Sequence, residues 1–479
     1  MSISLERHAS PSPASVPAAV LPVRRDWYRR ITQFHEEEAV VAWWHARTGP
    51  LGEWLTPARR RRVLSLGSVG AGVAYPLKML RDRSPALPGI STSAVLIGAA
   101  VLFAFLYGVW CAAAAVPRLP APIRRRPQTA LHLAFWIAVA ACWWAPTGPV
   151  RNVLAVVVVM LPFLIWRCGY LVLSGQRGRV AGSRFIDHLW YLYPVWGGTN
   201  VPFGKGPDYL ARHEATSSLA FARSQLAGLK LLALSLLWGG VSVAMGGLVF
   251  GDAANPLTRA FGHHALDAPR LADLLDGKSR TSVPLAWASV YSQLVMDTLK
   301  ITVNGHAFIG VLRLLGFHVF RNTYKPMLAE SIVEFWNRQY FYFKELMVEF
   351  FFLPTFARRF RGRPALRMAA AVFAAACFGN VYYHVLKTEV ALVHADPGAV
   401  WTALQARVFY GFILAIAITA SMRREQRRRA AQDTQSPARR MLRIAAVLTL
   451  LALMRVWAID EASAGIVQRA VFLRGLFGL

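Results

Sequence analysis

Apolar runs about twenty residues long, separated by short arginine clusters, recur between Leu64 and Ile459. A bilayer core takes about 20 helical residues to cross, and inside it each segment must satisfy its own backbone N–H and C=O groups. The pattern therefore restricts the chain to helices packed in a membrane. Of the 479 residues 55% are hydrophobic, and the mean hydropathy is +0.36. A soluble fold of this size has no way to bury that much apolar side chain.

The runs predict about nine spans by the length rule: Leu64–Leu80, Ser93–Val116, Ala130–Ala145, Val153–Leu173, Ala227–Phe250, Pro284–Val303, Met368–Leu386, Leu404–Met422 and Ile444–Ile459. The first is the weakest, with several glycines and Pro76. Val153–Leu173 is interrupted by Pro162 and Arg167. The expected fold is an all-α polytopic membrane protein with re-entrant or amphipathic helices added. Its divisions are a disordered tail over 1–25, a cytoplasmic amphipathic segment over 26–63, and N-terminal membrane helices over 64–250. A core over 283–390 and C-terminal membrane helices over 403–479 follow. Residues 175–223 form a polar loop too rich in Trp and Tyr for a linker, and read as a cap or re-entrant segment.

The net charge of +29 sits in loops between spans, so membrane topology and anionic headgroups explain it more simply than nucleic acid does. Basic loops near 59, 124, 180, 360 and 430 alternate with less basic ones near 148, 265, 395 and 462, which places the N-terminus in the cytoplasm. Cys111, Cys142, Cys168 and Cys377 lie in apolar stretches without metal-ligand spacing and read as small core residues. His35, His45 and Glu36 to Glu38 read as a solvated face rather than a metal site. No metal is expected. The segment up to Pro22 has no apolar core of a cleavable signal peptide.

The stretch Asn322–Pro354 embeds many charges in aromatic surface. Read as one helix after Pro326, it places Glu330, Glu334, Arg338, Glu345 and Glu349 near one side. Two readings stand: an amphipathic helix at the membrane surface with Glu334 paired to Arg338, or a polar helix inserted among spans to line a reaction chamber. Ionisable residues inside spans are costly and face a cavity or a partner. Here they concentrate between Asp297 and His384. A neutral imidazole such as His384 is able to take a proton from a hydroxyl near neutral pH; the simpler reading is a core histidine bonded to a neighbouring helix.

Gly310, Arg313, Leu314, Leu315, Gly316 and Phe317 are followed in one register by Asn322, Pro326, Ala329 and Ser331, then Glu334, Phe335, Trp336 and Arg338, then Pro354. His384 closes the series near the end of a span. The order and ungapped spacing from Gly310 to Pro354 resemble the membrane-bound O-acyltransferase (MBOAT) family, nearest its bacterial polysaccharide O-acetyltransferase and D-alanyltransferase branch. That branch reads G-L-A-R-L-L-G-F, N-F-x-x-P-Y-x-A-x-S, E-F-W-x-R-W-H and, later, W-H. Here Tyr340 stands at the first active-site position, where the family has His, Asn or Asp, and Tyr383 replaces the tryptophan before the histidine. Val385 replaces the glycine after it, Phe350 and Phe352 replace tyrosines, Glu349 an aspartate, and His306 an upstream aspartate.

The resemblance implies an O-acyltransferase that moves an acyl group, acetyl first, from a thioester to a hydroxyl of a polysaccharide, lipid or other envelope acceptor. His384 is then the general base. Tyr340, Asn380 or Arg338 stabilises developing oxyanion charge, with Glu334 and Trp336 beside them; Arg338 reads foremost as the structural partner of Glu334. No cofactor is bound. The co-substrate is acyl-CoA or an acyl carrier protein; Arg358 to Arg363 read foremost as topology signals, and alternatively as attracting the donor's phosphates. A bacterial-type inner membrane and a periplasmic partner protein accompany that reading. The alternative is a non-catalytic or transport protein of the same fold, with Asp297, Lys300 and His306 as gating or packing residues.

Overall fold

Apolar runs that cannot bond to solvent close their backbone bonds within themselves, and the computed structural model is helical, with a single isolated bridge, Glu214 to Phe317, among the described residues. The structure describes residues 27, 31–82, 89–194, 205–252, 254–261, 266–430 and 436–479. The tail expected over 1–25 lies outside them, as do Asp26, residues 28–30 and residues 195–204 of the polar loop.

The main helices are α1 (Glu38–Trp54), α2 (Pro57–Asp82), α3 (Thr92–Ala114), α4 (Pro127–Trp144), α5 (Pro149–Gln176), α6 (Ile186–Leu192), α7 (Ser218–Leu248) and α8 (Val283–Leu314). Then come α9 (Ile332–Gln339), α10 (Phe341–Met347), a π segment Val348–Phe352, α11 (Pro364–Phe373), a second π segment Ala374–Gly379 and α12 (Asn380–Val385). The chain closes with α13 (Pro397–Ala430), α14 (Pro437–Ala458) and α15 (Ile466–Leu476).

Six helical stretches among the described residues are long and apolar enough to cross a membrane: α3, α5, α7, the composite Pro364–Val385, Pro397–Arg428 of α13, and α14. The other three expected spans are helices as well, but α2 opens on a run of arginines, α4 opens on Pro127, Gln128 and Thr129 and holds His132, and α8 carries Asp297, Lys300, His306 and Arg313.

The axis of the larger core is α5, whose apolar window is 89% buried, as an all-round apolar helix must be. Pro162 and Arg167 do not interrupt it. Arg167 is fully buried, donates to the Tyr191 carbonyl at 3.2 Å and lies over the Tyr191 ring, so its charge is met within the protein.

α7 and α8 lie against one another through glycine. A Cβ on Gly228 would come within 2.8 Å of the Gly310 carbonyl oxygen, and Ser224 and Ser235 donate to the Arg313 and Val303 carbonyls. Small residues and hydroxyls of this sort hold membrane helices together, because lipid is as apolar as leucine. A second core gathers α8, α9, α13, α14 and α15 around Val290, Phe335, Tyr410 and Trp457.

Arg60, 2% exposed, bonds Glu214 at 3.1 Å, and Arg61 pairs with the same carboxylate, so these arginines dock α2 onto the loop before α7. One expectation about charge needs correcting. His35 is no part of a solvated face. Its side chain is 13% exposed, while His45 bonds the Ser218 hydroxyl at 3.0 Å.

Candidate active site

The chain from Asn322 to Pro354 is not one helix. Ser331 caps α9 by accepting from the Glu334 N–H, and α9 ends at Tyr340, where φ −146° and ψ 69° take the backbone out of the helical region. Residues 320 to 324 run alongside and hold the break. Thr323 donates to the Gln339 carbonyl at 2.8 Å, Tyr324 N to the Arg338 carbonyl at 2.7 Å, and Phe341 N to the Asn322 carbonyl at 3.0 Å. The Asn322 side chain accepts from Tyr342 N, and Tyr342 donates to the Phe320 carbonyl. Backbone groups that the broken helix would leave unpaired are thus supplied from upstream.

The break corrects the single acidic stripe, because it changes the register between its two halves. Glu330 meets Arg440 at 3.0 Å, Arg443 at 3.3 Å and Arg428 at 3.9 Å, while Glu334 pairs with Arg338. Glu345 and Glu349 form a separate group with Lys205, Lys344 and Arg177. Desolvation opposes ionisation of Glu345, but Lys344 and Lys205 outweigh it and hold its carboxyl below the usual range.

The predicted site residues therefore fall into two places. Glu334, Trp336 and Arg338 are on α9; Trp336 packs with the second core, and Arg338 also donates to the Lys325 carbonyl. Tyr340, Asn380 and His384 belong with the larger core or the helix that borders it. Tyr340 stacks on Phe343 with ring centroids 5.3 Å apart, Phe343 meets Tyr383 edge-on at 4.9 Å, and Tyr383 meets His384 edge-on at 5.5 Å. Burial pushes the Tyr340 phenol above its ordinary pKa, so it is a neutral hydrogen-bonding group.

Two π segments hold this wall. A Cβ on Gly379 would come 2.7 Å from the Phe351 ring and 3.0 Å from the Met347 sulfur, so the absence of a side chain lets the second π segment close on the first. Such bulges are frequent at functional sites because they re-aim the following turn. Here that turn carries Asn380, 5% exposed, and then His384. A void of about 10 Å³ adjoins the wall, lined by Pro162, Trp166, Tyr383, Lys387 and Glu389.

Sequence reasoning missed a neighbouring polar group. The Tyr382 hydroxyl accepts from Trp136 at 3.2 Å and bonds His132 Nδ1 at 2.9 Å, and the His132 ring lies 4.8 Å from Trp166. The signal was present: His132 is the ionisable residue of the expected span Ala130–Ala145. Gln339 was missed too. It is 1% exposed, and among the described residues neither its amide nitrogen nor its amide oxygen has a hydrogen-bond partner. Among the described residues no three metal-ligating side chains converge, and Cys142, Cys168 and Cys377 are buried free thiols.

No protein-family model matches the chain, and comparison with curated proteins gives no match.

Proposed function

We propose that the chain is a membrane-bound O-acyltransferase with His384 as its general base. One observation carries the reading: the histidine expected from the motif order sits one turn beyond a π segment, on an aromatic wall shared with Tyr340. In the proposed reaction His384 takes the proton of an acceptor hydroxyl as its oxygen attacks the thioester carbonyl. The C–O bond forms, the tetrahedral oxyanion accepts a hydrogen bond from Tyr340 or Asn380, and the C–S bond then breaks. The thiolate leaves with the proton held on His384. Arg338 serves to neutralise Glu334 and stays outside this step.

Acyl-CoA or an acyl carrier protein is the proposed donor, and an envelope polysaccharide or lipid the acceptor. The exposed arginines at 358, 359, 361 and 363 suit the donor's phosphates. A multi-pass position in a bacterial-type inner membrane with a cytoplasmic N-terminus, and a periplasmic partner, complete the proposal.

The test is transfer of label from radiolabelled acetyl-CoA to cell-envelope acceptors by purified protein, comparing wild type with His384→Ala at equal folded yield. Label entering an ester with wild type, and reduced at least 1000-fold in the variant, is the expected result. Equal transfer by both overturns the role of His384.

A second reading, non-catalytic or transporting, has its own observation. Asp297 and Lys300 line a cavity of about 390 Å³ with Arg270 and Glu461, and Asp297 meets Arg455 at 3.4 Å. Failure of every thioester donor, with Asp297→Asn impairing uptake of a solute into vesicles, would favour it.

A further inference from the structure

A larger cleft of about 840 Å³ opens between α7 and α8, away from His384, and is closed at one end by residues 321–328. Its two ends differ in chemistry. Lys230, Arg321 and Lys325 stand at one end, and among the described residues no carboxylate lies within ion-pair distance of any of them. Arg321 and Lys325 lie over the Tyr324 ring at 4.4 and 5.4 Å from its centre, which positions them without neutralising them. Glu36, 61% exposed, offsets part of the charge at Lys230 and Arg321 from beyond ion-pair distance.

Further along α7 the lining becomes apolar, through Leu234, Leu237 and Trp238. Lys230 to Trp238 spans about 12 Å of helix. Leu236 and Leu237 are 79% and 57% exposed on a helix apolar enough to span a membrane, so this side of the cleft faces acyl chains. On the α8 wall His306 and Thr298 are 4% and 5% exposed, and His306 Nδ1 and the Thr298 hydroxyl are closed off from the cleft, without a hydrogen-bond partner among the described residues.

Cations with no described carboxylate in ion-pair distance at one end and an apolar channel open to lipid at the other select an amphiphile with an anionic head. Guanidinium and ammonium together favour a phosphate, which Arg321 is able to grip through two N–H groups. We propose that this cleft binds a phosphate-headed lipid that enters sideways from the bilayer. Its head rests on Lys230, Arg321 and Lys325, and its chain lies along Leu234, Leu237 and Trp238. The inference is independent of acyl transfer, since it concerns binding alone.

The test uses the purified full chain in maltoside micelles, titrated with dioctanoyl phosphatidic acid and read by thermal shift and native mass spectrometry. Dioctanoylglycerol supplies the chains without phosphate, and inorganic phosphate the anion without chains. Saturable binding of the phosphatidic acid is expected, at least tenfold tighter than either. Arg321→Gln should weaken it at least tenfold and Leu237→Gln at least threefold, while Arg427→Gln, on an exposed basic stretch of α13, leaves it unchanged. Lys230→Gln reads the same head contact from another helix if Arg321→Gln does not fold. Equal binding of dioctanoylglycerol would reduce the cleft to a surface for any lipid. Inorganic phosphate competing at the same concentration would make it a plain anion site, and an equal loss in Arg427→Gln would show diffuse attraction to basic surface. Each of these results overturns the proposal.

Discussion

Tyr340 carries the main chemical departure from the family that the motif order resembles. With burial keeping its phenol protonated, it is unable to share the base's work and able to donate a hydrogen bond to an oxyanion. Tyr340→Phe keeps the ring that stacks on Phe343 and removes only the hydroxyl. The expected result is a fall in kcat of about 100-fold, the scale of a lost oxyanion donor, with unchanged thermal stability. An unaltered kcat would leave Tyr340 a packing residue. Its neighbour Gln339 gives a second test, because a buried amide without partners costs about 1–3 kcal/mol. Gln339→Leu should therefore raise the melting temperature. His35 belongs to the same scale. Burial first, then the charges of Lys230, Arg313 and Arg321, lower its pKa from 6.5 to about 4; Glu36 is close but exposed, and does not offset them. An unfolded chain protonates His35 near 6.5 while the folded one resists until about 4, so stability is full above pH 6.5 and falls as pH drops through that window. The loss is of the order of 3 kcal/mol. His35→Asn should flatten melting temperature against pH between 6.5 and 4, and an unchanged slope would assign it to other groups.

Among the elements, helices were legible wherever the deciding physics is local. Length and apolarity alone marked α3, α5, α7, α13 and α14, and Pro162 misled only because a buried helix flanked by others tolerates a missing N–H. The break at Tyr340 was not legible. It depends on hydrogen bonds from Asn322, Thr323 and Tyr324, sixteen or more residues upstream in the case of Thr323 and Gln339, and no helical period records them. The motif asparagine thus has a visible structural task, to clamp the turn that aims Tyr340. The π segments were equally hidden, since AAACFG reads as ordinary helix. What betrays them in space is Gly379. Adding a methyl there presses on Phe351 and Met347, so Gly379→Ala should cost about 1–3 kcal/mol and displace the turn bearing His384. Gly108→Ala, on α3 with nothing within 4 Å of the new atom, is the matched control and should be neutral or stabilising. Equal melting temperatures for the two variants would show that the π segments yield freely.

For the whole molecule the open quantity is how often the chain crosses, and packing bears on it where apolarity does not. Helix α8 runs antiparallel to α7 along its length: Ser224 meets Arg313, Gly228 meets Gly310 and Ser235 meets Val303. α4 pairs in the same way with α5, Gln128 lying against Gly169 at one end and Cys142 beside the Arg151 carbonyl at the other, while Trp143 donates to the Leu392 carbonyl. α2 reaches from Arg60 at Glu214 to Tyr75 against Tyr193. Helices that follow spanning partners so far are expected to share their depth, and their polar residues are shielded by protein: Asp297 by Arg455 and Gln293, and His132 by Tyr382. Nine crossings put residues near Arg59 and near Phe477 on opposite faces, whereas the six most apolar helices alone put them on the same face. The expected result is opposite faces. In a cysteine-free background, single cysteines at 59 and 477 should differ in reaction with a membrane-impermeant maleimide applied to intact cells, the second labelling and the first only after lysis. Labelling of both, or of neither, before lysis would mean an even number of crossings and would remove at least one of α2, α4 and α8 from the membrane.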